Sequence, residues 1–199
     1  NVNSTVTYSI SGLDSDSTGV ITFTDGTTNV TVNVSANGSG TADLSTLSDG
    51  SITALLAVTD DVSNTATGAS DTATLDTSAP TVTVALADTA LKVGETTTVT
   101  FTFSEVVTGF AAADVTVANG SISEPSSSDG GTTYTATYTP TDDITDATNV
   151  ITVDKTGVAD SASNAGVSTT SSANYTIDTA EPTVTVALAD TALKVGETT

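Results

Sequence analysis

Histidine, cysteine, methionine, tryptophan and arginine are all missing from the 199 residues. Without His and Cys the usual ligands of zinc, haem, iron–sulfur and copper are gone, and so are Ser-His-Asp and Cys-His catalysis. No disulfide can form, so cysteine pairing says nothing about redox compartment. Positive charge is nearly missing too: 3 Lys stand against 24 Asp and Glu, a net charge of −21. Nucleic acid is excluded as a partner, because phosphate neutralisation needs clustered Lys and Arg. Docking on anionic membranes is disfavoured for the same reason. No apolar run, signal peptide or lipidation motif is present, so no direct membrane insertion is expected, and an export signal would lie outside this segment. The helix formers Leu, Glu, Lys, Gln and Arg are scarce.

What remains is 46 Thr and 24 Ser, about a third of the chain, with Val, Ala, Asp and Gly around them. Thr and Val favour strands, which makes the chain all-β. The dominant feature is repetition. Residues 80–97 read PTVTVALADTALKVGETT, and residues 182–199 repeat all eighteen without a change, 102 residues later. That offset is too long for a solenoid unit and suits a β-sandwich of about 100 residues. The chain therefore reads as an excerpt of a tandem array, cut inside its third unit.

Period-two alternation within one unit predicts seven strands: 81–86, 96–104, 114–118, 121–124, 132–139, 149–154 and 173–178. Asn119-Gly120 and Asp129-Gly130-Gly131 supply turns between them. Upstream, six strands are predicted at 4–10, 19–24, 29–34, 41–44, 52–59 and 72–76, without a counterpart of the strand at 81–86. Phe101, Phe103, Tyr134, Tyr138 and Tyr175 sit at strand parity and should fill the core.

The stretches TLDTSAPTVTV, GETTTVTFTFSEVVTGF, ADVTVANG, TTYTATYTPT and YTIDTAEP resemble the bacterial Ig-like domains repeated in giant surface adhesins, including RTX and Bap-like biofilm adhesins. ADLSTLSDGSITALLAVTDDVSNTATG resembles another subtype of them, with a loop usually reading Asp-x-Ala-Gly-Asn. Here that loop is Asp60-Asp61-Val62-Ser63-Asn64 and, again, Asp160-Ser161-Ala162-Ser163-Asn164, with Ser in place of the family's Gly both times. The resemblance implies tandem immunoglobulin-like antiparallel β-sandwiches joined by short linkers, acting as a stalk that commonly binds calcium. The expected division is 1–78, a sandwich lacking its first strand; 79–180, a complete one; and 181–199, the N-terminal fragment of a third.

Strand alternation in such a sandwich sorts its loops to two ends, and the acidic residues collect there. At the end of the second unit facing the first, Asp76 of the linker is expected to meet Glu105, Asp114, Asp160 and Asn164. In the first unit Asp14 and Asp16 are expected beside Asp60, Asp61 and Asn64. Asp178 should repeat the part of Asp76 at the next junction, its partner loops being missing. Two carboxylates about 5 Å apart repel by roughly 3 kcal/mol at an effective dielectric near 20. Calcium relieves this, taking six to eight oxygen ligands, whereas magnesium demands tighter octahedral geometry. The competing account of these residues is a solvated acidic surface that confers solubility.

Carboxylate pairs could in principle hydrolyse glycosides, but no Trp and few aromatics are available to stack a sugar, and no enzyme is expected. Lys92, Lys155 and Lys194 raise the question of an intramolecular Lys–Asn or Lys–Asp isopeptide bond, but Lys92 and its copy Lys194 sit in a turn next to Gly and read as exposed lysines, and the Thr-rich faces read as solvated strand surface rather than an ice-binding plane. The expected role is a structural extender of a bacterial cell-surface adhesin, stiffened by calcium at its junctions, with neighbouring repeats of the same polypeptide as partners. A ligand-binding module for a carbohydrate, host protein or neighbouring fibre is the alternative, and it would require an exposed aromatic or apolar patch. The distal ligand, the organism and the repeat number do not follow from the residues.

Overall fold

A computed structural model describes residues 4–189, 192 and 194–196. It contains no α-helix among them, only a 3₁₀ turn at Ala112–Asp114 and twenty strands, several just two or three residues long. The first seven are β1 (Thr5–Ile10), β2 (Thr18–Thr24), β3 (Asn29–Val34), β4 (Gly38–Asp43), β5 (Gly50–Thr59), β6 (Thr65–Thr67) and β7 (Asp71–Leu75). Strands β3, β2, β5 and β6 form one antiparallel sheet, with β7 also on β5, and β1 pairs with β4 opposite. Ile10, Ile21, Phe23, Ala42, Leu44, Leu47 and Ile52 are buried between the two layers.

The next thirteen strands build a second sandwich. They are β8 (Val82–Leu86), β9 (Ala90–Lys92), β10 (Thr97–Phe103), β11 (Val107–Thr108), β12 (Val115–Val117), β13 (Gly120–Ile122), β14 (Ser126–Ser127), β15 (Thr133–Pro140), β16 (Thr145–Asn149), β17 (Ile151–Asp154), β18 (Ala159–Asp160), β19 (Thr169–Ser171) and β20 (Tyr175–Asp178). One layer runs β13-β15-β10-β8; the other side is made of β12-β17-β19 and β16-β20-β9. Strand β10 shows why the sequence folds this way. In TTVTFTF, Thr97, Val99, Phe101 and Phe103 are buried while Thr98 and Thr102 are exposed, as a two-residue period requires. Phe101, Phe103, Phe110 and Tyr134 meet edge to face, with ring centroids 5.1–5.9 Å apart. Tyr138 and Tyr175 make a second such pair at 5.4 Å.

All seven strands predicted for the repeat unit are present, as are the six upstream. Strand 149–154 is present as β17, and the residues before it form β16, a separate strand that pairs with β20 through an irregularity between Asp146 and Asn149. Buried Asn149 closes that bulge, its Oδ1 accepting from Asn119 Nδ2 at 2.9 Å. The two cores share no residue, and between β7 and β8 the chain from Asp76 to Thr81 carries no strand. After β20 the described residues also carry none. No helix among the described residues is long and apolar enough to cross a membrane.

Candidate metal centre at the junction

Three elements deliver carboxylates to one place. Asp76 follows the last residue of β7. Glu105 lies just beyond β10, where the ladder is closed by Ser104 N–H donating to Thr81 O at 2.9 Å and Thr81 N–H donating to Ser104 Oγ at 3.0 Å. Those bonds pin the start of the second sandwich beside Glu105. Asp160 ends β18 and is held opposite Val107 of β11. One carboxylate oxygen from each of Asp76, Glu105 and Asp160 lies within 4.8 Å of the others. No other acidic group of three this close occurs among the described residues.

Asn164 ties the loop to the linker. Its backbone N–H donates to Asp160 Oδ1 at 2.8 Å, and its Nδ2 donates to Asp160 Oδ2 at 2.9 Å and to the Asp76 carbonyl at 3.0 Å. Asp160 and Asn164 are both buried, whereas Asp76 and Glu105 are half-buried. Burial pushes the Glu105 carboxyl above its ordinary range, and the neighbouring charges of Asp160 and then Asp76 push it the same way. A site that resists ionisation in this fashion suits a cation. Calcium holds oxygens at about 2.3–2.6 Å, so two ligands on opposite sides of one ion stand about 4.6–5.2 Å apart. The three oxygens, within 4.8 Å of one another, fall inside that span. Magnesium, at about 2.0–2.1 Å, demands tighter octahedral geometry.

The remaining predicted residues are placed elsewhere. Asp114 turns back on its own 3₁₀ turn, where its Oδ2 accepts from Ala111 N–H at 2.9 Å. Asp60 and Asn64 build the same loop as Asp160 and Asn164: Asn64 N–H and Nδ2 both donate to Asp60 at 2.7 Å. The Asn64 side chain is the main reason the Asp60 carboxyl sits below its ordinary range. Asp14, Asp16 and Asp61 are not drawn with Asp60 into a close group of three. Asp178 accepts from Thr145 Oγ1 at 2.9 Å.

Sequence reasoning passes over Asp49, which holds the linker itself. It accepts from Thr77 N–H at 2.8 Å, Thr77 Oγ1 at 2.7 Å and Ser78 Oγ at 2.6 Å. The Ser78 hydroxyl, followed by that of Thr77, holds its carboxyl below the ordinary range. Its only sequence signal is an Asp-Gly pair, which reads as a turn.

Both Asp-to-Asn loops place Ser where the backbone is left-handed, at φ 71° for Ser63 and 70° for Ser163. A Cβ in that region is strained, and glycine is not. Ser163→Gly and Ser63→Gly should each stabilise the protein by about 0.5–1 kcal/mol, the relief exceeding glycine's extra unfolded-state entropy. A shift of the urea midpoint to higher concentration at unchanged slope checks this.

Fold and site together define an antiparallel, immunoglobulin-like β-sandwich repeat with an acidic junction. The chain belongs to the bacterial Ig-like domain family, whose model matches residues 76–177. No curated protein matches it. Among solved structures it is similar to one from a 1.5-MDa bacterial ice-binding adhesin concerned with host cell surface retention, at 22% identity and TM-score 0.43, covering 88% of this chain. It is also similar to a tetra-tandem repeat from the extending region of a large adhesion protein, at 22% identity and TM-score 0.36, covering 87% of this chain. The matches span 57% and 45% of those two chains.

Proposed function

We propose that this chain is a length of extracellular stalk from a bacterial cell-surface adhesin, divided at 1–78, 79–180 and 181–199, in which calcium locks one Ig-like repeat to the next. The convergence of Asp76, Glu105 and Asp160 carries this reading. Asp76 belongs to the linker, and the other two belong to the second sandwich. A shared ion therefore adds a tie across the junction that the Asn164–Asp76 hydrogen bond already begins. Pro80 limits the remaining linker freedom by fixing its own φ. Near-identical repetition suits a spacer, which needs length and stiffness more than a unique surface.

Small-angle scattering checks the stiffening. Calcium should narrow the distribution of inter-domain angles and raise the mean maximum dimension relative to chelator. The double substitution Asp76→Ala with Glu105→Ala should remove that response. A parent equally extended in chelator, or a double variant that still stiffens, contradicts the proposal.

A further inference from the structure

The linker is tied to the sandwich it leaves as well as to the one it enters. Asp49 stands in the loop between β4 and β5, which is itself anchored. Leu44 and Leu47 of that loop are buried in the first core, and Ser48 N–H donates to Asp25 Oδ2 at 2.9 Å. Asp25 is fixed in turn, its Oδ1 accepting from Thr27 N–H at 2.8 Å and Thr28 N–H at 2.7 Å. From this post Asp49 grips the linker, Oδ1 accepting both Thr77 donors and Oδ2 accepting the Ser78 hydroxyl. Bonds to an ionised acceptor are roughly twice as strong as neutral ones. Ser78 then reaches back, its N–H donating to Asp76 Oδ1 at 3.1 Å. The turn that Asp49 holds is therefore the turn that orients the Asp76 carboxylate.

The second sandwich fastens the corresponding residue with different atoms. Thr179 follows Asp178 as Thr77 follows Asp76, 102 residues later, and it is buried. Its N–H donates to Ile144 O at 2.7 Å and its Oγ1 to Thr141 O at 2.7 Å, while Ile144 N–H donates to that Oγ1 at 3.0 Å. Twice in the chain, then, the threonine leaving a sandwich is tied to it, once by a carboxylate and once by main-chain groups. We propose that Asp49 is a positioning residue of the junction: it anchors the linker to the first sandwich without calcium and so presents Asp76 to the ion already in place. The second half of this role rests on the calcium reading above; the anchoring does not. Glu105 and Asp160 belong to the second sandwich, and only Asp76 has to arrive on the linker. Apparent affinity falls in proportion to the fraction of molecules whose site is assembled before binding. Releasing the linker should therefore weaken calcium binding by about tenfold, a usual loss for a residue that orients a metal ligand.

Small-angle scattering in chelator and calorimetric titration with calcium, both on the full 199-residue chain, test the two halves separately. In chelator, Asp49→Ala should broaden the spread of inter-domain angles relative to the parent. On titration, its calcium dissociation constant should rise about tenfold. Asp49→Asn should restore both, because its amide oxygen accepts from Thr77 and its NH₂ donates to the Ser78 hydroxyl. An Asp49 that served only to attract the cation would be lost as fully in Asn as in Ala. Ser78→Ala removes one of the three bonds and no charge, and should fall between the parent and Asp49→Ala. It alters an exposed linker hydroxyl, so it carries the test if Asp49→Ala loses the exchange protection of β2 and β5. Asp49→Ala with the parent's angular spread in chelator overturns the anchoring. Asp49→Ala with the parent's calcium affinity, or Asp49→Asn as weak as Asp49→Ala, overturns the positioning. A parent that takes up no calcium contradicts the calcium reading instead, and the scattering in chelator then decides the anchoring alone.

Discussion

Calcium added to chelated protein should raise the stability of the second sandwich, by about 2.7 kcal/mol once free calcium is a hundredfold above the dissociation constant. Extracellular calcium modules bind at about 10⁻⁴–10⁻³ M, so about 2 mM calcium should add roughly 0.6–1.8 kcal/mol. The sharper form of this prediction is a reversal of sign in Glu105→Gln. In chelator the variant should be more stable than the parent at neutral pH, because it removes one of three carboxylates crowded within 4.8 Å. In calcium it should be less stable, because a ligand is lost. The pH dependence follows from the raised Glu105 pKa. Folded protein then binds this proton more tightly than unfolded protein, so the Glu105 contribution is fully favourable below the ordinary value of 4.5 and is lost as pH rises through the folded value. Asp43, Asp49, Asp60, Asp146 and Asp154 are shifted the opposite way and lose stability on acidification. The quantity to measure is therefore the difference between parent and Glu105→Gln in chelator. That difference should shrink as pH falls from neutral into the carboxylate range. Calorimetric titration and thermal unfolding in both buffers supply the data, and equal calcium responses in the two proteins would refute the assignment.

Phe101→Ala should cost about 3–5 kcal/mol and unfold the second sandwich selectively. Phe101 is fully buried and its ring meets Phe110 at 5.1 Å. The Phe101 cavity would also loosen Phe103 and Tyr134, which pack on the same Phe110 ring. Against a domain stability of about 5–15 kcal/mol this is a large fraction. The first sandwich should be unaffected, because no residue of its core belongs to the other. Hydrogen exchange reads this directly: amides of β10 and β15 should lose protection while those of β2 and β5 keep theirs. Loss of protection in both would mean that the two cores unfold as one unit.

Much of the fold was legible in the residues because β-strands announce themselves by period. Thr-Val-Thr-Phe-Thr-Phe can bury one face only as a strand, and the strands of the repeat appear where alternation put them. Strands β6, β9, β11, β14, β16, β18 and β19 escaped, all but β16 only two or three residues long and too short to show a period. At the junction, Asp76, Glu105, Asp160 and Asn164 were legible from loop sorting alone: alternating strand direction dictates which loops share an end. Asp114 sorts to that end too, but the nearest unsatisfied donor to it is Ala111 N–H on its own turn. Asp49 was illegible, because its partners Thr77 and Ser78 lie 28 and 29 residues away.

The eighteen residues that occur twice separate the two kinds of information most cleanly. By itself the sequence determined a strand-forming alternation, an acidic loop composition and a 102-residue period, all consequences of local stereochemistry and side-chain polarity. It could not determine whether a given copy becomes a strand. At 80–97 the stretch supplies β8 and β9, because β10 and β20 stand beside it with free backbone groups and an apolar slot. A strand satisfies its hydrogen bonds only on another strand, so its existence is decided by what the rest of the chain places next to it.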